Sequence, residues 1–279
     1  MVALVRAHIR LGVHPRQWMI TARRVTVPKP GKGDYGLAKS YRVISLLNCL
    51  GKMVEKAAAI MVSAHCEATG RFHPGQYGCR VRRLAMGAVG VAIAQTQDAS
   101  SRGCIIGALL MDVAAAFPSV VRGCLLQKMR AMSIDECLVN WTDSFMRDRR
   151  VIMSLDGQDG AMNVTTGLPQ GSPISPALFA IYIADIHATV ESQVEDSRGI
   201  SFVDDVTWLV EGPDLSDVVN KLQRCAAASL QWADSNAVCF EASKAEAILF
   251  SRKRNHRRCE RGIRVGTRPS ILLRRPHGS

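Results

Sequence analysis

The sequence predicts an α+β fold in which an antiparallel sheet packs on helices. Three observations predict it. Residues 199–210 place two short apolar, β-branched runs on either side of Asp204 and Asp205, which is the pattern of a tight β-hairpin with acids at its tip. Cys104–Met111 is a continuous apolar run ending on Asp112, which is how a buried strand with a carboxylate at its C-terminal end reads. Helical stretches over residues 45–68, 83–98 and 214–235 supply apolar faces to cover such strands.

Taken in order, Val2–Ile9 is amphipathic and helical. Val25–Val27 reads as a strand, and Pro28–Gly33 as a basic turn whose Lys29 and Lys32 suit either a phosphate or a plain surface loop. Ser45 is a candidate cap for a helix running to about Ala68, with Arg42 just before it. A turn at His73–Gly75 leads into Gln76–Arg80, and an Ala-rich helix with Gly interruptions follows. After the Asp112 strand, Phe117 precedes a helix that Pro118 and Ser119 would start, running over Val120–Met132. Asp135–Arg149 reads as another helix. Arg150–Leu155 and Met162–Val164 read as a hairpin around Asp156 and Gly157.

Gly167 and Gly171 flank Leu168, Pro169 and Gln170. Ser172 and Pro173 then open an apolar helix expected to reach about Val194. Such a Gly-rich loop lets backbone approach a ligand, although tight packing alone also demands small residues. An amphipathic helix over Asp214–Ser235 follows the Asp-Asp hairpin. A strand pair near Val238–Phe240 and Ala247–Phe250 comes next, with Lys244 between.

At 279 residues and 47% hydrophobic, the chain suffices for one large domain or two modest ones with a sizeable core. It has no apolar run of about 18 residues and no cleavable signal pattern, so a soluble intracellular protein with no membrane partner is expected. The nine cysteines are odd in number and form no C-x-x-C pair, which favours reduced thiols over a disulfide frame or zinc module. His256 and Cys259 lack a second pair at zinc spacing. Of the net charge of +12, residues 251–279 carry +9, so basicity is mainly a tail property. That suits a polyanion partner or a plain solvated tail, and the run Arg252–Arg258 suits nuclear import or the same tail.

An Asp-Asp turn alone is common between surface strands. If the Asp112 strand and the hairpin are neighbours in one sheet, however, three carboxylates converge. Convergent carboxylates suit two Mg²⁺ ions about 4 Å apart, which activate an attacking hydroxyl and stabilise a leaving pyrophosphate.

Five stretches carry a family resemblance: Tyr41–Asn48, Gln76–Arg80, Met111–Phe117, Gly167–Pro173 and Phe202–Asp205. In this order and spacing, residues 18–250 resemble the fingers and palm of a right-hand polymerase, a reverse transcriptase of the non-LTR retrotransposon type, and within that type a fungal Tad-like element. The resemblance implies residues 1–100 as fingers and the start of the palm, 101–250 as palm, and 251–279 as a basic disordered tail. It implies Asp112, Asp204 and the backbone carbonyl of Val113 as ligands for Mg²⁺ or Mn²⁺. Asp205 is the second acid of the pair. Phe117 becomes the ring that excludes a 2′-hydroxyl; with Val203 before the acids, it favours DNA synthesis over RNA synthesis. Gln170 and Gly171 are expected to touch template and incoming nucleotide, Arg42 and Lys29 to hold the triphosphate, and Lys244 to lie near the leaving pyrophosphate. The implied partners are an RNA template, a DNA primer and deoxynucleoside triphosphates.

The chain departs from the family pattern at Val43, where the family has Pro, and at Pro118, where it has Asp. The pattern stops near Val265, and no counterpart of the primer grip or thumb follows. The chain is therefore expected to be a truncated polymerase domain, with a non-catalytic nucleic-acid-binding remnant, or a chain that does not fold stably, as the alternatives.

Overall fold

The computed structural model describes residues 2–15, 18, 22–31, 33–37, 40–155, 158–250, 262–266 and 271–272. Lys32, Asp156, Gly157, and the His256–Cys259 pair with its basic run lie outside the described residues. The chain forms two compact units, each built from two segments: Met1–Arg71 with Phe117–Tyr182, and Phe72–Ala116 with Ile183–Ser279.

The first unit holds a mixed four-stranded sheet. Strands β1 (Ala22–Pro28) and β2 (Tyr41–Leu46) pair antiparallel, with Val27 opposite Arg42 and Arg24 opposite Ser45. β1 also runs parallel to β4 (Arg149–Leu155), which forms a hairpin with β5 (Gln158–Val164). Helices α1 (Val2–Arg10), α2 (Cys49–Ala68), α5 (Arg122–Ala131), α6 (Glu136–Met146) and α7 (Ser175–Ile183) complete the unit, with the single turn α4 (Ala116–Ser119) at the segment start. Trp141 and Phe145 of α6 stack at 5.4 Å, and the His14 ring meets both edge-on.

The second unit is organised around β3 (Ile105–Ala114), whose first five residues are all buried. β7 (Asp205–Gly212) pairs antiparallel on one edge of β3 and in turn pairs with β6 (Ser197–Phe202). The other edge of β3 takes β9 (Glu246–Phe250) along Ile106–Leu110 and the short β8 (Cys239–Phe240) at Val113 and Ala114. Helices α3 (Ala85–Ser101), α8 (Asp185–Glu191) and α9 (Leu215–Ser235) cover the sheet. Tyr77, Ala88, Ala99, Ile106, Ala108, Ile200 and Leu209 form one buried cluster there. Residues 262–263 and 271–272 pair as β10 and β11, and buried Ile263 and Val265 flank Arg264, whose backbone bonds to Gln223 of α9.

Four local expectations are corrected. Ser45 lies in β2 rather than at a helix start, and Arg42 lies in the same strand. Val43 and Ile44 extend the strand, and Asn48 caps α2 instead, its Oδ1 accepting from the Leu50 and Gly51 amides. Pro118 does not open a long helix: it sits inside α4, and α5 begins only at Arg122, after β-branched Val120 and Val121. The helix after Ser172 is two helices, α7 and α8, and begins at Ser175. Ser172 instead hydrogen-bonds the buried Glu55. The strands near 239 and 247 do not pair with each other, because β3 takes both. Among the described residues, no helix is long and apolar enough to cross a membrane, and the eight described cysteines are free thiols.

Candidate active site

In the second unit the register of β3 against β7 sets Asp112 directly opposite Asp205. Asp204 sits in the turn, and its carbonyl accepts a 2.9 Å hydrogen bond from the Val113 amide. The three acids are therefore brought together by one ladder. The turn is tight enough to force Val203 to φ +58°, a left-handed conformation that a β-branched residue rarely adopts. Such strain persists only where the surroundings over-determine it.

The surroundings are on the open edge of β6. The Ser201 amide donates to the Gly75 carbonyl, and the Tyr77 amide donates to the Ser201 carbonyl. At Gly78 the approach to the turn leaves no room for a side chain: a Cβ built there would lie 2.0 Å from the Val203 nitrogen. Gly75–Cys79 thus works as a clamp on the acid-bearing turn. The sequence shows the Gln76–Arg80 motif but not what it grips.

A second brace is absent from the sequence reading. Glu191 accepts from the Gly199 amide at 2.8 Å and pairs with His73 at 3.1 Å. His187 is fully buried, stacks on His73 at 4.7 Å and bonds Ser201 Oγ. Burial, helped by His73, pushes the His187 imidazole down to about 3, so it stays neutral. The two rings lie 8° from parallel, and one ligand atom from each of His73, His187 and Glu191 lies within 4.8 Å of the others. The trio supports β6 as a hydrogen-bonded buttress.

Electrostatics concentrate on the acids. Asp205 is held above the ordinary aspartate range, first by loss of solvent and then by Asp204 and Asp112, with Lys244 opposing. Lys244 Nζ bonds Asp112 Oδ2 at 2.5 Å, and that hydrogen bond raises the ammonium above its ordinary value. The one-turn 3₁₀ helix Ala242–Lys244 supplies this lysine, and the Glu241 amide anchors the turn on the Asp112 carbonyl. Burial and the Asp204 charge push the Cys79 thiol up to about 11, which leaves it protonated. Asp112 and Asp205 face each other across the ladder, Asp204 is adjacent in the chain, and both neighbours act electrostatically on Asp205; carboxylate oxygens are the donors that a hard divalent cation prefers.

The remaining expected site residues belong to the first unit. The Gln170 carbonyl accepts from the Ser45 amide of β2, and Gly171, at φ +115°, would put a Cβ 2.7 Å from the Ser45 carbonyl. Only glycine meets both demands. The side chains of Gln170 and Arg42 are exposed. The Lys29 amide donates to the Ser40 carbonyl, and the Tyr35 hydroxyl donates to the Lys29 carbonyl. Phe117 packs its ring on Phe179 at 5.6 Å, and its carbonyl accepts from the Leu168 amide. Thus Phe117, Gln170, Gly171 and β2 form one bonded set, and Asp112, Asp204, Asp205 and Lys244 form another.

Residues 27–266 match the family described as reverse transcriptase (RNA-dependent DNA polymerase). The RNA-directed DNA polymerase from mobile element jockey of Drosophila funebris is 26% identical over 255 residues, covering 90% of this chain and 28% of the relative. The probable RNA-directed DNA polymerase from transposon X-element of Drosophila melanogaster is 26% identical, covering 89% of this chain and 27% of the relative. The chain therefore spans little more than a quarter of either. Among solved structures, apo telomerase from Candida tropicalis aligns with a TM-score of 0.60 at 11% identity, covering 88% of this chain and 53% of that one. Telomerase from Candida albicans, in complex with a telomeric RNA fragment, aligns with a TM-score of 0.57 at 12% identity, covering 88% and 43%. These likenesses establish the polymerase fold, and the match across residues 27–266 establishes that the chain belongs to the reverse transcriptase family.

Proposed function

We propose that the chain is the polymerase domain of a non-LTR retrotransposon, of a fungal Tad-like kind, and that it copies an RNA template by extending a DNA primer with deoxynucleoside triphosphates. The observation that carries this reading is the β3–β7 register, which sets Asp112 against Asp205 with Asp204 in the adjoining turn. In this reading residues 1–100 serve as fingers and the start of the palm, and residues 101–250 serve as palm.

Asp112, Asp204 and the Val113 carbonyl would hold two divalent cations, Mg²⁺ or Mn²⁺, which when bound supply activation of the primer hydroxyl and neutralisation of the leaving pyrophosphate. The chain's own residues do the rest. Lys244, which bonds Asp112 Oδ2, would lie near the leaving pyrophosphate and donate a proton to it. Asp205 lends charge to the site while its raised proton affinity limits the repulsion between adjacent acids. Arg42 and Lys29 bind the triphosphate by charge, Gln170 and Gly171 orient the nucleotide, and Phe117 excludes the ribonucleotide hydroxyl by contact.

Primer extension on an RNA template with Mg²⁺ tests the proposal, run beside Asp204→Asn. Extension by the parent alone supports it. Equal extension by both proteins would defeat the acid assignment. No extension from a folded parent would favour a nucleic-acid-binding remnant.

A further inference from the structure

Arg149 is one of the few charged side chains in the buried interior, at 6% exposure. Among the described residues it makes no ion pair with a carboxylate. Among the described residues its guanidinium is met only by main-chain oxygens: Nε donates to the Met146 carbonyl at 3.3 Å, and Nη2 donates to the carbonyls of Thr166 at 2.9 Å and of Gly167. Burying a charge without a counter-ion is costly, and the neighbouring Arg24 worsens it; together they bring the guanidinium down to about 10. The Met146 contact is an ordinary helix C-terminal cap for α6. The other two contacts are not explained by capping.

They fall on the entrance to the loop that carries Gln170. The carbonyls of this loop are taken one by one. Thr166 and Gly167 go to Arg149, Pro169 goes to the Ser172 amide and Ser175 Oγ, and Gln170 goes to the Ser45 amide. The Gly167 amide donates to Val120 and the Leu168 amide to Phe117. Among the described residues, Arg149 is thus the side chain that holds the carbonyls of Thr166 and Gly167, the two residues leading into Leu168, whose amide bonds Phe117. A planar guanidinium reaches two successive carbonyls from one rigid group, whereas a lysine ammonium is a point charge on a flexible stem.

We infer that Arg149 is a positioning residue for the nucleotide site, setting the Thr166–Gly171 loop so that Gln170 and Phe117 meet the incoming deoxynucleotide together. The inference rests on the proposed polymerase reading for its activity readout, but its structural half stands apart from it. A loop displaced by about 1 Å costs on the order of 10²-fold in turnover.

The test compares the full chain with Arg149→Gln and Arg149→Lys. Amide hydrogen exchange over residues 165–171 is read against β1, β4 and α2. Steady-state extension is read as KM for the deoxynucleotide, kcat, and discrimination against the ribonucleotide. Faster exchange confined to 165–171 is expected in both variants. KM should rise about 10-fold in Arg149→Lys and about 10²-fold in Arg149→Gln, with weakened sugar discrimination and unchanged primer–template affinity. Unchanged exchange at 165–171 would overturn the inference. So would exchange that rises equally throughout the first unit, which marks a merely structural arginine. If the parent itself fails to extend, the polymerase reading falls, while hydrogen exchange still decides whether Arg149 holds the loop.

Discussion

Gly78→Ala is the sharpest probe of how the acids are held. The added Cβ would lie 2.0 Å from the Val203 nitrogen and 2.9 Å from the Phe202 carbonyl carbon, whereas ordinary contacts begin at 3.4 Å. All of these neighbours are backbone, so no rotamer change relieves the clash, and either the clamp or the turn moves by about 1.4 Å along the Cβ–nitrogen line. The turn is already strained at Val203, and Asp204 follows it directly. Displacement on that scale corresponds to roughly 10²-fold in kcat/KM, or about 2.7 kcal/mol of transition-state stabilisation. Overpacking adds about 1–3 kcal/mol of lost stability. The assay is primer extension with denaturant unfolding on the same preparation. Gly90→Ala in α3 serves as control, since nothing lies within 4 Å of its Cβ and alanine favours a helix. A Gly78→Ala protein that is folded and extends within about threefold of the parent would refute the claim that Gly75–Cys79 holds the turn.

Three further outcomes are expected. Asp205→Asn should stabilise the metal-free chain at neutral pH. The folded-state carboxyl is raised above its ordinary value, so the parent loses stability as pH rises from about 4 through that raised value, and the amide does not. Urea unfolding in EDTA from pH 4 to 7 should show a steeper decline for the parent, and parallel curves would contradict this. Lys244→Met should lower kcat by about 10²-fold while barely moving the unfolding midpoint, because the lysine is 59% exposed and its pair contributes little to folding. A large stability loss would reassign Lys244 as structural. Ser172→Ala should cost about 1–3 kcal/mol, since it removes the hydroxyl partner of the buried Glu55, whose carboxyl burial already pushes up; chemical denaturation that leaves the midpoint unchanged would show that another donor replaces it.

The parts legible in the sequence were those written in local pattern. The Asp112 strand, the Asp-Asp hairpin and the amphipathic helix over Asp214–Ser235 follow from continuous hydrophobicity, short apolar β-branched runs around two acids, and helical periodicity, and the structure has all three. Ser45 was misread because a serine before a helix signals a cap equally well from inside a strand, and only the Gln170 carbonyl shows why it is extended. The single helix expected after Ser172 failed similarly, since uniform apolarity does not mark the break between Ile183 and Asp185. His73, His187 and Glu191 were invisible as a group because sequence distance hides a cluster assembled by tertiary packing. Arg149 stood at the end of an expected helix, where a basic residue calls for no explanation. Its acceptors, 17 and 18 positions away, are backbone carbonyls that leave no trace in residue identity.

The central strand of the second unit has a consequence for how the protein is made. Every strand that pairs with β3 lies later in the chain, at residues 205–212, 239–240 and 246–250. On a ribosome adding roughly 5–20 residues per second, the interval from Ile105 to Phe250 lasts on the order of 10 s. Throughout it, the most apolar strand of the unit has two open hydrogen-bonding edges and no native partner. The first unit's sheet is complete by Val164, so the chain emerges with one unit's sheet able to close and the other's waiting. Slowed translation between these points should therefore favour aggregation over yield, whereas co-expressed holdase chaperones should help most in that window.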